Sequence, residues 1–402
     1  MAAPQINSDL RGAGRLAVAA TLGVTDLVEA MHRTIASIAP PIGKPRQGPA
    51  RGIAGLVYRT VRGTTRLVGG GLDAALALLP PMLGEAGDWP MRTQVLAALN
   101  GVLGDYLAST GNPLAIPMRL RSEGRALELE RTALAAALPG ATGKLLVMVH
   151  GLCMSDLQWN RAGHDHGAVL ARALAFTPVY LNYNTGLHVS TNAREFAGLL
   201  EQLVREWPVA LSEVTIVGHS MGGLVARAAV QVARQEGHAW VRQLRSMVFL
   251  GTPHHGAPLE RGGNWVDVVL GVSPYTAAFT RLGRVRSAGI TDLRHGSVLD
   301  SDWQGRDRFA RGADTRTPLP LPEGVACHAI AATVGSGGEG AVAPRLVGDG
   351  LVPLDSALGR HRDANRVLAF EPSRTWIARD TGHLELLASR AACERMRRWL
   401  SR

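Results

Sequence analysis

The chain has 402 residues, which is enough for one large α/β domain with an additional segment. Hydrophobic residues make up 46% of it and charged residues 19%, a balance that excludes an intrinsically disordered chain. The net charge of +10 comes almost entirely from arginine. Because no zinc-finger, helix-turn-helix or aromatic-basic RNA motif accompanies that charge, no nucleic-acid partner is predicted.

The cysteines and the N-terminal residues give information about the cellular compartment of the protein. Cys153, Cys327 and Cys393 are widely spaced and odd in number, so they predict neither a disulfide framework nor a metal site. Asp9 precedes the first basic residue and only a short apolar run follows, which is a poor secretory signal. A cytoplasmic location is therefore expected, with peripheral membrane association as an open alternative.

Residues 1–115 are predicted to form a separate helical region. Residues 20–38 and 55–79 have apolar residues at helical spacing, and a Pro/Gly-rich linker separates them. Arg59, Arg62 and Arg66 would share one helix face. Two interpretations of residues 44–79 stay open: a solvated face on a helix packed against the next domain, or peripheral contact with a membrane surface.

From residue 116 to 402 the pattern predicts an α/β domain. A hairpin turning at Ser122-Glu123-Gly124 comes first, and a series of short apolar strands with intervening helices follows. The strand candidates cover residues 145–151, 178–184, 214–220, 246–252, 327–335 and 374–379, and the helices between the central ones cover 190–207 and 222–235. This alternation predicts a mostly parallel central sheet with helices on both faces.

Residues 257–325 interrupt the alternation with Gly, Pro, Arg and Trp. Such a long segment between two strands predicts an inserted lid, and the alternative is an irregular surface loop. Its apolar residues, Trp265 and Leu270 among them, would suit a cover over a substrate pocket.

The stretch TIVGHSMGG carries the clearest functional signal. A β-branched strand runs directly into Gly218-x-Ser220-x-Gly222, and a helical pattern follows at once. In so tight a turn, side chains two residues before and after the serine would clash, so glycine is needed at both places. The pattern predicts an exposed nucleophilic serine rather than an ordinary Gly/Ser loop.

A serine nucleophile needs a base and an acid, in the chain order serine, acid, histidine. His383 follows the last strand candidate and is predicted to be the base. Asp349, between two glycines, is predicted to be the acid that orients it. A simple Asp-Gly turn is the alternative at Asp349, with Asp355 and Asp302 as the other candidate acids.

Two backbone amides are predicted to form an oxyanion hole. Met221 begins the helix after the serine, and Leu152 follows His150-Gly151 at an earlier strand end. The residues predicted to bind substrate are His150, Gly151, His219, Trp265 and Leu270. The adjacent pair His254-His255 is expected to shape the pocket floor, since neighbouring side chains diverge and no carboxylate-rich partner suggests a metal.

The set VHGL, GHSMGG, LGTPHHGAPLER, GDGLVP and GHLELL resembles the bacterial lipase/esterase branch of the α/β-hydrolase superfamily. Within that branch it is similar to GPI inositol-deacylase-like and triacylglycerol-lipase-like proteins, over roughly residues 140–402. The resemblance implies Ser220 as nucleophile, Asp349 as acid, His383 as base, and Leu152 and Met221 as the oxyanion hole. LNYNTGLHVSTN and RSAGITDLR also resemble segments of this branch, without a predicted role.

Together these features predict a serine hydrolase that cleaves carboxylic esters through an acyl-enzyme, with no cofactor and no metal. The expected partner is a small-molecule or lipid-like ester. Three alternatives stay open: an acyltransferase with the same triad, a membrane-associated lipid deacylase, and a non-catalytic binding protein with this fold.

Overall fold

A computed structural model describes residues 11–18, 90–257, 286–308, 314–334 and 348–401. The chain divides into two units, one formed by Met1–Trp89 and Ser109–Leu114 and the other by Pro90–Ala108 and Ala115–Arg402. In the first unit a helix spans residues 11–18, and the Asn112 side chain donates a hydrogen bond to the Gly12 carbonyl at 3.1 Å. The second unit contains the sheet.

The apolar segments predicted as strands form one eight-stranded sheet, ordered β2-β1-β4-β3-β5-β6-β7-β8. The strands are β1 (Arg119–Ser122), β2 (Arg125–Ala126), β3 (Lys144–Val149), β4 (Thr177–Asn182), β5 (Glu213–His219), β6 (Leu244–Leu250), β7 (Ala326–Thr333) and β8 (Thr375–Arg379). β3 to β8 pair in parallel, while β1 is antiparallel to both β2 and β4. The predicted α/β-hydrolase fold with a mostly parallel sheet is confirmed.

The predicted hairpin joins β1 to β2. Ser122 pairs with Arg125, and the two residues between them, Glu123 and Gly124, have φ of 49° and 75°. Positive φ at both central positions is the geometry that matches the right-handed twist of two short antiparallel strands.

Helices cover both faces of the sheet because alternate residues of its strands point in opposite directions. In the described part of the chain from residue 90 onward, the α-helices are α1 (Pro90–Ser109), α2 (Arg131–Ala137), α3 (His166–Leu174), α4 (Val189–Arg205), α5 (Met221–Glu236), α6 (Ala288–Asp292), α7 (Leu354–Ala357) and α8 (Arg390–Leu400). Met148, Val217, Val248 and Ile330 share one face and cluster with residues of α3 and α8. Their strand neighbours are equally buried and face the α4–α5 pair. Burial on both sides explains why these strands are apolar throughout.

Helix α1 is buried around its whole circumference. Every residue from 97 to 104 is buried, which is more than two turns. Its backbone is bound by side chains from distant loops: Asn184 Nδ2 donates to the Gly104 carbonyl at 2.9 Å, and Ser287 Oγ donates to the Gly101 carbonyl at 2.6 Å. The domain boundary predicted at residue 115 stays a prediction. Most of α1 precedes that boundary, and it belongs to the unit that contains the sheet.

Two predicted features lie outside the described residues. They are the basic segment 44–79 and the central part of the predicted lid, with Trp265 and Leu270. Among the helices that are described, none has the length and apolar character required to span a membrane.

The packing of α8 on the sheet gives a testable pH dependence. His328 is buried on β7 and stacks on Trp399, with ring centroids 4.7 Å apart. Burial, and secondarily the charge of Arg374, lowers the pKa of His328 to about 4. The unfolded ring takes up a proton near pH 6.5 and the folded ring does not, so this group lowers stability as the pH falls from 6.5 towards 4.

We therefore expect His328→Phe to reduce the loss of unfolding free energy that occurs as the pH falls below 7. Urea unfolding at pH 7 and pH 5 measures it: the loss of unfolding free energy between the two should be about 2 kcal/mol smaller in the variant than in the wild type. An identical loss in both proteins would contradict the assignment.

Candidate active site

Ser220 lies at the turn between β5 and α5. Its backbone has φ 53° and ψ −126°, a conformation that a non-glycine residue adopts only where the surrounding structure enforces it. β5 ends at His219 and α5 begins at Met221, so the serine is the whole connection. A serine in this position lies at the end of the strand, as the predicted nucleophile elbow requires.

The glycines on both sides of Ser220 are required by contacts with backbone. A Cβ at Gly218 would lie 2.5 Å from the Gly223 Cα, and a Cβ at Gly222 would lie 2.2 Å from the Val149 carbonyl oxygen. Since backbone atoms cannot rotate away, neither position accommodates a side chain. The steric reason inferred from the sequence therefore holds at both positions.

Asp349 and His383 form a buried hydrogen-bonded pair. His383 Nδ1 lies 2.7 Å from Asp349 Oδ2, and only 6% and 3% of the two residues is exposed. The other carboxylate oxygen accepts the amides of Leu351 and Val352 at 3.0 and 2.8 Å, which fixes the acid in place. Because the carboxylate accepts a hydrogen bond from Nδ1–H, the lone pair of the neutral ring is on Nε2.

The two other candidate acids are engaged elsewhere. Asp302 accepts hydrogen bonds from the amides of Val298, Leu299 and Thr317, so it organises its own loop. Asp355 is half-exposed and lies 3.6 Å from the Arg360 guanidinium. The carboxylate that the structure brings to His383 is that of Asp349.

Ser220 and His383 line the same cleft, which has a volume of about 410 Å³. The remaining lining is mostly apolar and consists of Leu152, Met154, His219, Pro253, Ala257, Leu293, Leu351, Val352 and Leu384. Among the described residues no hydrogen bond joins the serine hydroxyl to the His383 ring. Such a hydrogen bond is often long or poorly aligned in sites without substrate and tightens when substrate binds.

The two amides predicted to bind an oxyanion lie beside Ser220. Met221 is the first residue of α5, and Leu152 lines the cleft on the loop after β3. The loop is in direct contact with the serine, because a Cβ at Gly151 would be 2.9 Å from the Ser220 Cβ. Neither amide donates to a backbone acceptor outside the regular elements in the described part of the chain, so both are available to a ligand.

Two histidines and one glycine that were predicted to bind substrate lie in different places relative to the cleft. His219 lines the cleft, and its Nε2 lies 3.2 Å from the His383 carbonyl. His150 is instead fully buried beneath the loop, stacked on Tyr183, and burial lowers its pKa to about 4. Gly151 contacts Ser220 rather than the cleft. His150 and Gly151 therefore support the loop from behind.

The pair His254-His255 is held by a buried arginine. Arg316 donates to the His254 carbonyl at 2.6 Å and to the Gly296 carbonyl at 3.0 Å, and its Nη2 lies 2.8 Å from His255 Nδ1. Pro253, the preceding residue, lines the cleft. The contacts agree with a role in shaping the pocket floor, and Arg316 was not found from the sequence because no local pattern marks it.

The two segments that had no predicted role contact each other. Asp292, in RSAGITDLR, accepts the Val189 amide at 2.8 Å and lies 3.0 Å from His188 Nδ1. A Cβ at Gly289 would be 2.1 Å from the Thr185 carbonyl. Thr185 in turn accepts the Cys153 amide through its hydroxyl at 3.1 Å. Both segments thus brace the loop that carries Leu152, and they contribute Leu293 to the cleft.

Comparison with known families agrees with this geometry. Residues 141–318 match the model of the PGAP1-like alpha/beta domain family. The match includes the elbow and the Leu152 loop, and it confirms the resemblance to α/β hydrolases. No curated protein sequence matches this chain.

Solved structures similar to this chain include two esterases and a lipase. An esterase of Pyrococcus furiosus is 14% identical, with 65% of this chain and 81% of that chain covered and a TM-score of 0.36. A lipase of Staphylococcus hyicus is 12% identical, with 64% and 94% covered and a TM-score of 0.37. A hyperthermophilic esterase of Pyrobaculum calidifontis is 13% identical, with 64% and 76% covered and a TM-score of 0.37.

Helix α1 supports the Leu152 loop through a glycine contact that can be tested. A Cβ at Gly101 would lie 2.2 Å from Cys153 Sγ and 3.0 Å from its Cα. We expect Gly101→Ala to lower the unfolding free energy by about 1–3 kcal/mol, since the added methyl overpacks a buried contact. Urea unfolding measures the change.

Gly198 provides the matched control, because it is also inside a helix and a Cβ there would meet no atom within 4 Å. Gly198→Ala should leave stability unchanged or raise it by about 0.5–1 kcal/mol through helix propensity. Equal effects of the two substitutions would mean that the Gly101 contact is not tight.

Proposed function

We propose that this protein is a serine hydrolase that cleaves carboxylic esters, of the esterase or lipase type. The proposal depends above all on one observation: the Asp349–His383 pair, joined at 2.7 Å, opens on the same apolar cleft as a serine in an elbow conformation. The PGAP1-like domain match supports it at the level of the family.

The acylation step follows from these positions. Ser220 Oγ attacks the ester carbonyl carbon while its proton passes to His383 Nε2, and Asp349 stabilises the resulting imidazolium. The carbonyl oxygen becomes an oxyanion that the amides of Leu152 and Met221 bind. When the C–O bond to the alcohol breaks, His383 returns the proton to the departing alkoxide.

The deacylation step uses the same groups. His383 Nε2 takes a proton from water, the hydroxide attacks the acyl carbon, and the C–O bond to Ser220 breaks. The proton then passes to the Ser220 oxygen, so that a free carboxylic acid leaves and the resting enzyme is restored. Every proton is carried by His383, and no cofactor enters the scheme.

The cleft indicates the substrate class. Apart from Ser220, His219 and His383, the described residues that line it are hydrophobic, and they include no carboxylate, lysine or arginine. An uncharged acyl chain fits such a surface, whereas a charged acyl group would lose its hydration without gaining a partner. We infer small-molecule or lipid-like esters with an apolar acyl group. Membrane contact through residues 44–79 stays a prediction.

The triad can be tested with p-nitrophenyl esters. Ser220→Ala, His383→Ala and Asp349→Asn should each reduce kcat/KM by several orders of magnitude, and the double variants should lose no more than the singles because the residues act as one unit. Asp355→Asn is the matched control and should retain wild-type turnover, since that carboxylate pairs with Arg360.

A Ser220→Ala protein with wild-type turnover would contradict the mechanism. Product identification in the presence of an added alcohol distinguishes the main alternative, because a hydrolase releases the free acid whereas an acyltransferase forms a new ester.

Acyl-chain preference tests the cleft. Leu351 is half-buried and lines it, so Leu351→Trp should shift the preferred acyl chain to a shorter length by filling part of the volume. Val367 is 44% exposed and outside the lining, so Val367→Trp is the control and should leave the profile unchanged. Kinetics across a series of ester lengths gives the answer, and an unaltered profile in Leu351→Trp would place the acyl chain elsewhere.

A further inference from the structure

Three metal-ligating side chains meet on the α3–α8 side of the sheet, away from the cleft. They are His164 and His166, at the start of α3, and Cys393 on α8. One potential ligand atom from each lies within 4.8 Å of the others. His166 and Cys393 are buried and His164 is half-buried, so the group is open to solvent on one side. Nothing in the proposed ester chemistry uses these residues.

Both histidines are held rigidly. His164 closes a two-residue turn in which Ala162 and Gly163 have positive φ, and its backbone exchanges two hydrogen bonds with Arg161 at 2.9 and 3.0 Å. His166 is the first residue of α3, whose N-cap is Asp165. Preorganised backbone of this kind reduces the conformational entropy that a bound ion would have to overcome.

The hydrogen bonds of His166 define where its lone pair lies. Its Nε2 is 2.9 Å from the Leu386 carbonyl oxygen, which can only accept, so the proton of the neutral ring is on Nε2. Nδ1 then presents its lone pair towards His164 Nε2, 2.9 Å away. A second ring nitrogen bound to a carbonyl is typical of metal-ligating histidines.

The Asp165 carboxylate lies between the two histidines in the sequence. It caps α3 by accepting the Ala168 amide at 2.9 Å, and it accepts the Tyr180 hydroxyl at 2.9 Å. A divalent cation with the Cys393 thiolate and the Asp165 carboxylate would have a local charge near zero.

We propose that His164, His166 and Cys393 bind a divalent transition-metal ion of the zinc class. Two imidazoles and a thiolate are ligands that zinc prefers, and three protein ligands leave one tetrahedral position for solvent. Tetrahedral coordination requires ligand atoms roughly 3.4–3.6 Å apart. The ligand atoms are now between 2.9 Å and at most 4.8 Å apart, and rotation of the side chains can bring them to the tetrahedral distances. Binding releases the thiol proton.

The ion would join chain segments that are distant in sequence. It would link the start of α3 to α8, and through His166 to Leu386, which follows the predicted catalytic His383 by three residues. We expect it to stabilise the folded chain rather than to take part in ester cleavage, because none of its ligands lines the cleft.

Cobalt titration of the metal-free, reduced full-length protein tests the site, since a Co²⁺–thiolate bond gives a charge-transfer absorption in the near ultraviolet. The wild type should develop this absorption at one equivalent of metal, and zinc should abolish it by displacement. Cys393→Ser should lack it. Cys327→Ser is the matched control, because Cys327 is another buried thiol of the sheet core, and it should retain the absorption.

A second measurement does not depend on the thiol. Saturating zinc should raise the thermal midpoint of the wild type by about 5 °C. His164→Gln, which changes a half-buried side chain and leaves the core intact, should weaken zinc affinity at least tenfold and reduce that shift. The proposal is overturned if the wild type shows neither the absorption nor the shift, or if the absorption persists in Cys393→Ser. It is also overturned if His164→Gln binds zinc as tightly as the wild type.

Discussion

The close approach of α5 to the end of β3 is the contact on which the candidate site depends. β3 and β5 are parallel neighbours, so the loop after the first and the helix after the second leave the sheet at the same edge. Gly222 comes so near the Val149 carbonyl that a Cβ would be 2.2 Å from it, and Gly151 meets the Ser220 Cβ with similar closeness. The amides of Leu152 and Met221 are brought together by contacts that only glycine allows. A side chain at either position would separate them.

The loop that carries His383 is anchored on several sides. The His383 amide donates to the Asp349 carbonyl at 3.0 Å, in addition to the side-chain bond between the two residues, and Thr381 donates to the Thr333 carbonyl at the end of β7 at 2.9 Å. Leu386 binds His166 from the opposite side. The backbone that carries the predicted catalytic base is thus held in place by hydrogen bonds from several directions.

The strands and the elbow could be predicted because their signals are local. Apolar runs of strand length and a serine between glycines are visible within a few residues, and each predicted strand was found. The sequence left three candidate acids, Asp349, Asp302 and Asp355. Which carboxylate lies beside the histidine depends on how distant segments fold together, and a local pattern does not show that. Helix α1 shows the same limit: it has no polar face, so its pattern does not reveal what surrounds it. The meeting of His164, His166 and Cys393 depends on strand order and left no local signal.

The central position of α1 also affects how the chain is made. Cys153 Sγ donates to the Ala98 carbonyl 55 residues earlier in the chain, and Ser287 Oγ to the Gly101 carbonyl 186 residues earlier. At translation rates of about 5–20 residues per second, α1 leaves the ribosome roughly 10–40 s before the last of these partners is synthesised. During that interval the native surroundings of this largely apolar helix are incomplete. We therefore expect the exposed part of α1 to be a point at which nascent chains of this protein depend on shielding by chaperones.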